Sequence, residues 1–101
     1  MMPNSELIEL LNEMSDGQAI LYDGLNEAVV AIAEVWAMAE GGGGQRVSVA
    51  VYDYMKLIEI FTREDDMTEE DAIEHIDYNI LGGYLGTYTP VFVNLNGELS
   101  Q

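Results

Sequence analysis

Nineteen carboxylates share this chain of 101 residues with only three basic side chains, Arg46, Lys56 and Arg63, which leaves a net charge of −16. Self-repulsion of this size works against a compact state, so any fold must keep the acids at the surface and spread them. Three cations can neutralise only a few of them. Cohesion has to come from apolar burial, and a hydrophobic content of 49% suffices for one modest core. Disorder of the whole chain requires low hydrophobicity as well as high charge, and only the charge is present.

The acids are unevenly placed. Glu64, Asp65, Asp66, Glu69, Glu70, Asp71, Glu74 and Asp77 fall within fourteen residues without a Lys or Arg, and the stretch from Tyr78 to Gly97 then carries no formal charge. Eight more acids precede the glycine run Gly41 to Gly44, again without a basic residue. Such a chain repels phosphate backbones and anionic membranes, so direct binding to nucleic acid or lipid head groups is not expected; a protein with a basic surface is. The absence of cysteine removes disulfides and thiolate chemistry and fits a reducing compartment. The apolar run near Ala28 is too short to span a bilayer, and the start lacks a basic signal-peptide region. A cytoplasmic protein is expected.

Periodicity divides the chain into short elements. Leu7, Ile8, Leu11 and Met14 recur at helical spacing, with Asn4 or Ser5 available as N-cap. Gln18 to Tyr22 reads as a short strand. From Leu25 or Asn26 to Ala39 the composition reads as a helix, apolar around most of its circumference and therefore central. The four glycines read as a flexible break. Val47 to Tyr52 alternates with period two and predicts a strand. Asp53 then caps a helix to about Arg63, with Leu57, Ile58, Ile60 and Phe61 inward. Thr68-Glu69-Glu70-Asp71 resembles a capping box opening a helix from Glu69 to Leu81, where acids suit the positive end of the dipole. Thr89-Pro90 marks a turn and Val91 to Val93 a final strand.

The expected fold is a single α+β domain over residues 1–101, about three short strands with about four helices packed on the sheet, the ends 1–4 and 95–101 fraying. The first two strands flank a long helix. A parallel pair with a right-handed crossover is one arrangement, and an antiparallel pair the other.

The candidate partner-binding residues are Glu64, Asp65, Asp66, Glu69, Glu70, Asp71, Glu74 and Asp77 on the acidic helix and its preceding turn, with Tyr84 and Tyr88 in the neutral segment. The plainer reading of the acids is a solvated helix face, and solubility or life at high salt would also account for them. Tyrosine offers a large contact at low entropy cost and glycine lets a partner approach, although both equally suit a helix end packed over a sheet. Gly41 to Gly44 lacks the ending of a nucleotide loop. His75 lies four residues after Asp71, but one imidazole and one carboxylate are too few for a metal site, and no second His exists. The single His has no Cys partner and no motif-placed Ser. No metal, cofactor or catalytic residue is expected.

Val51-Tyr52-Asp53-Tyr54 with Lys56 and Ile58-Glu59-Ile60, Met67 to Ala72, Asp77-Tyr78-Asn79, Gly82, Gly86, Thr89-Pro90 and Phe92, together with Tyr22-Asp23-Gly24 and Glu27-Ala28 upstream, carry a resemblance. Over roughly Tyr22 to Val93 the chain resembles a family of small acidic proteins encoded by phages and prophages. Where that family has an aromatic-rich run before the Asn and a Trp after the glycines, this chain has His75-Ile76-Asp77-Tyr78 and Tyr84. The family has no established activity, so no site residue comes with the resemblance. It implies a viral or mobile-element context, with action in the host cytoplasm.

The resulting expectation is a non-enzymatic accessory protein that binds a host or viral protein through its acidic surface, most concretely by imitating the phosphate spacing of nucleic acid. The alternative is a homo-oligomeric structural or assembly module that uses the uncharged Tyr and Gly segment.

Overall fold

The computed structural model describes residues 4–38, 41–81 and 85–94. Helix α1 spans Asn4–Met14, strands β1 and β2 span Val29–Met38 and Gly44–Asp53, helices α2 and α3 span Tyr54–Glu64 and Glu69–Ile76, and strand β3 spans Val91–Val93. The result is a small α+β fold with three helices and a three-stranded mixed sheet in the order β1-β2-β3. The helix end expected at Gly82 and Gly83, Tyr84, and the termini 1–3 and 95–101 lie outside the described residues.

The largest departure from expectation is β1. The segment expected to form a central helix is a strand, paired antiparallel with β2 from Val29↔Tyr52 to Met38↔Gly44. Its β-branched residues Val29, Val30, Ile32 and Val35 favour the pleated state. A period of two is invisible in its sequence because both faces are apolar: Ala31, Ala33 and Val35 sit across from Val51, Val49 and Val47, while Ile32 sits across from Ala50. A register shift between Val29 and Ala31 also breaks the parity. The glycines are therefore a hairpin connection rather than a flexible break. Gly41, Gly42 and Gly43 all have positive φ, a conformation that side chains with a Cβ resist. Losing that helix also reduces the expected four helices to three.

The helical crossover exists, but one strand later. The chain leaves β2 through α2, α3 and a π-helical turn at Asp77–Leu81, then returns as β3, parallel to β2 with Val51↔Val91 and Asp53↔Val93. Gln18 to Tyr22, expected to be a strand, is irregular, and it packs Ala19, Leu21 and Tyr22 against the core. Its backbone is held by side chains instead of a neighbouring strand: Ala19 N–H donates to Ser15 Oγ at 3.0 Å and Tyr22 N–H to Tyr52 Oη at 2.8 Å.

The helix boundaries follow their capping residues. Asp53 Oδ1 accepts from Met55 N–H at 3.0 Å to open α2, and Thr68 Oγ1 accepts from Asp71 N–H at 3.1 Å to open α3. α1 closes through Gly17 N–H donating to Asn12 O at 2.8 Å, with Asp16 and Gly17 both at positive φ. At its other end Asn4 Nδ2 donates to Val29 O at 2.7 Å, tying α1 to the start of β1. Met14, expected inward, is 46% exposed, because the stripe that packs ends at Leu11.

Tyr52 is the centre of the interior. Its side chain is fully buried, and its ring meets Tyr22 edge-on at 5.5 Å and stacks on Phe92 at 5.7 Å, so one residue of β2 joins the N-terminal segment to β3. Leu11, Leu57 and Ile76 complete this core from α1, α2 and α3. Burying each contributes about 1.5–3 kcal/mol. Burial also raises the Tyr52 phenol pKa above its ordinary value, while the hydrogen bond from Tyr22 N–H opposes the rise. The substitution Tyr52→Phe keeps the ring packing but leaves the Tyr22 amide without its acceptor. Urea unfolding is expected to show a loss of about 1 kcal/mol with an unchanged slope; an unchanged midpoint would show that the hydroxyl contributes nothing.

Candidate functional site

All three cations are engaged within the molecule. Arg46 Nη1 meets Glu34 at 3.2 Å, Lys56 Nζ meets Glu59 at 3.8 Å, and Arg63 binds Glu27, Glu64 and Glu59 at 2.9, 3.0 and 3.9 Å. Among the described residues only four acids therefore meet a cation. Of the eight carboxylates between Glu64 and Asp77, Glu64 is the one so paired, and Asp77 accepts a hydrogen bond from Tyr54 Oη at 3.3 Å. Asp65, Asp66, Glu69, Glu70, Asp71 and Glu74 are exposed without a cation partner.

Their placement follows from the turn between α2 and α3. Asp65 N–H and Met67 N–H both donate to Phe61 O, at 3.1 and 3.4 Å, and Asp66 takes positive φ, which reverses the chain within a few residues. α3 then turns Ala72 and Ile76 inward and leaves its first-turn acids in solvent. His75 lies at the margin, edge-on to the Phe61 ring at 4.8 Å, with Asn79 Nδ2 at 3.2 Å from its Nδ1 and donating to its backbone carbonyl at 3.1 Å.

A groove of about 670 Å³ opens where the residue 22–27 segment, the end of α2 and α3 meet. Buried Leu25, Ile60, Phe61 and Ile80 give it an apolar floor, and Asp23, Glu27, Glu64 and Asp65 stand along its exposed rim with Arg63. Four carboxylates against one guanidinium give these rim side chains a formal charge of −3. Arg63 spans the walls: Nη2 and Nη1 hold the two Glu27 oxygens at 2.9 and 3.2 Å, and Nε holds Glu64 at 3.0 Å. That contact keeps the Glu27 carboxyl below its ordinary range, first by the hydrogen bond and then by charge, and pushes the Arg63 pKa up.

A shallower hollow of about 550 Å³ lies across His75, lined by Met67, Asp71, Glu74, Tyr78 and Asn79. The structure thus divides the predicted residues. Glu64 and Asp65 line the groove and Asp71 and Glu74 the hollow, while Asp66, Glu69 and Glu70 line neither. Tyr88 accepts from Gln18 Nε2 at 3.2 Å and lines neither hollow. Asp23, Glu27 and Phe61 are groove residues that no motif marked. Trp36, expected inside a central helix, is 70% exposed on the hairpin, packed over Gly44, with Arg46 Cζ 5.8 Å from its ring centroid.

His75 shares the groove with carboxylates, which is the minimum for acid–base chemistry. Its only side-chain hydrogen bond among the described residues is to Asn79, and none of the carboxylates orients it. Among the described residues no group of three or more His, Asp or Glu side chains could hold a metal ion, and no helix is long and apolar enough to cross a membrane. No protein-family model, curated protein or solved structure matches the chain. Residue roles accordingly rest on geometry and charge.

The Arg63 bridge has a defined pH signature. The folded-state pKa of Glu27 is depressed, so its contribution is complete above the ordinary value of 4.5 and is lost as pH falls through the lowered one. The thermal midpoint of wild type is expected to exceed that of Arg63→Gln at pH 7, with the gap closing progressively below pH 4.5. A gap independent of pH would assign the effect to packing of the arginine stem.

Proposed function

We propose that this protein is a non-enzymatic accessory protein that binds a protein with a basic surface through the carboxylates of the α2–α3 turn and α3. The observation that carries the reading is that six exposed acids from Asp65 to Glu74 have no cation partner, while every basic side chain of the molecule is already engaged. Uncompensated charge concentrated on the α2–α3 turn and α3 attracts a cationic partner from a distance and repels nucleic acid and anionic membranes. Occupation of a nucleic-acid-binding groove by phosphate imitation is the most concrete form of this role. The resemblance to phage and prophage proteins supports a host or viral partner in the host cytoplasm.

The test uses two charge-matched variants. One neutralises Asp65, Asp66 and Glu69 by D65N, D66N and E69Q, and the other neutralises Glu6, Glu9 and Glu13 on α1 by E6Q, E9Q and E13Q. A basic protein retained from host lysate by wild type at low salt is expected to be released by moderate salt, lost by the α2–α3 variant and kept by the α1 variant. Equal loss in both variants would reduce the effect to net charge. Displacement of the retained protein by duplex DNA would identify its nucleic-acid groove as the surface covered.

A second reading, homo-oligomerisation through the uncharged segment, is favoured by one observation: Tyr78 and Leu85 are 83% and 48% exposed. Sedimentation discriminates the two. A dimer insensitive to salt and dissociated by Tyr78→Ser supports assembly, and a monomer supports partner binding.

A further inference from the structure

Resting on the acidic-binding reading above, we infer that the groove between the residue 22–27 segment and the end of α2 receives an arginine side chain of the partner. The groove combines two properties that neither the acidic helix face nor the core has alone. Its floor is apolar and aromatic, built on Ile60 and Phe61, and suits the three-carbon stem and flat face of an arginine. Its rim is anionic.

The wall chemistry selects the occupant. Arg63 shows how a guanidinium is held here, bidentate on Glu27 of one wall and bonded to Glu64 of the other. The same two walls carry a further carboxylate each, Asp23 on the 22–27 segment and Asp65 just past α2. Neither side chain makes a hydrogen bond or ion pair within the described residues, and both are exposed. The intramolecular bridge therefore leaves two groove-lining acids, Asp23 and Asp65, without a partner among the described residues, beside an apolar floor. A guanidinium can serve two such acids at once because its donors are fixed in a planar fork, whereas an ammonium acts as a compact, strongly hydrated point charge. The volume of about 670 Å³ accommodates a long side chain with adjacent backbone.

The probe is acetylated tetra-arginine amide, titrated at low salt into the full chain while amide resonances are followed by NMR, with tetra-lysine amide as the comparison. Shifts are expected to concentrate at Asp23, Phe61, Asp65 and His75, with tetra-arginine binding more tightly than tetra-lysine. Asp23→Asn with Asp65→Asn is expected to weaken tetra-arginine about ten-fold, and Glu69→Gln with Glu70→Gln, an equal change of charge outside the groove, less than about two-fold. Retained spectral dispersion in both double variants shows that the fold is kept. Equal weakening in the two, or shifts spread along Glu69 to Glu74, would overturn the groove as a receptor and leave the acidic-surface reading standing. Equal affinity of tetra-lysine at the same resonances would overturn the choice of arginine. Absence of binding by either peptide would remove both the groove and the reading it rests on.

Discussion

Repulsion among carboxylates sets the terms for everything else in this molecule. Four acids meet a cation among the described residues, out of nineteen in the chain, so ion pairing cannot supply cohesion. The interior supplies it instead. Leu11, Tyr52, Leu57 and Ile76, from α1, β2, α2 and α3, are completely buried, and every buried side-chain polar atom among the described residues has a partner. Tyr52 meets both demands at once, through its ring between Tyr22 and Phe92 and its hydroxyl on the Tyr22 amide. The N-terminal segment needs no strand pairing, because the Tyr52 and Ser15 hydroxyls accept from its backbone.

The same constraint explains where the acids went. Capping by Thr68 and the positive N-terminus of α3 favour Glu69, Glu70 and Asp71 locally. Asp23 and Asp65 lie in turns, Asp23 ahead of Gly24 and Asp65 at the end of α2, and their side chains line the groove without a partner among the described residues. Among the described residues, the cation that pairs acids across this groove is Arg63, which bonds Glu27, 36 positions away in the sequence. That contact joins the irregular N-terminal segment to the end of α2 and shapes the groove wall.

Local signals were legible in the sequence. Alternation in Val47 to Tyr52 marked β2, Asp53 and Thr68 marked the starts of α2 and α3, and Val91 to Val93 marked β3. β1 was not legible, since a strand apolar on both faces with a shift beside Val30 has neither a clean period of two nor a polar side, and its alanines imitate a helix. Trp36 was misplaced with it. Half of the site was legible as charge density at Glu64 and Asp65. The other half, Asp23 and Glu27, is brought there by tertiary contacts, through Tyr22 on Tyr52, buried Leu25 and Arg63 on Glu27, and Phe61 looks in sequence like any other core residue of an amphipathic helix.

The carboxylate surplus is uncompensated among the described residues, and we propose that it is tolerated because a cationic partner uses it. Thermal unfolding at pH 7 as NaCl rises from about 0.01 to 0.1 M, which shortens the screening length from about 30 to 10 Å, tests the first half directly. Screening relieves repulsion in the folded state, so the midpoint should climb steadily over this range, opposite in sign to the effect of salt on partner binding. A midpoint that stays flat or falls would mean that the acids are already compensated, and would contradict the account.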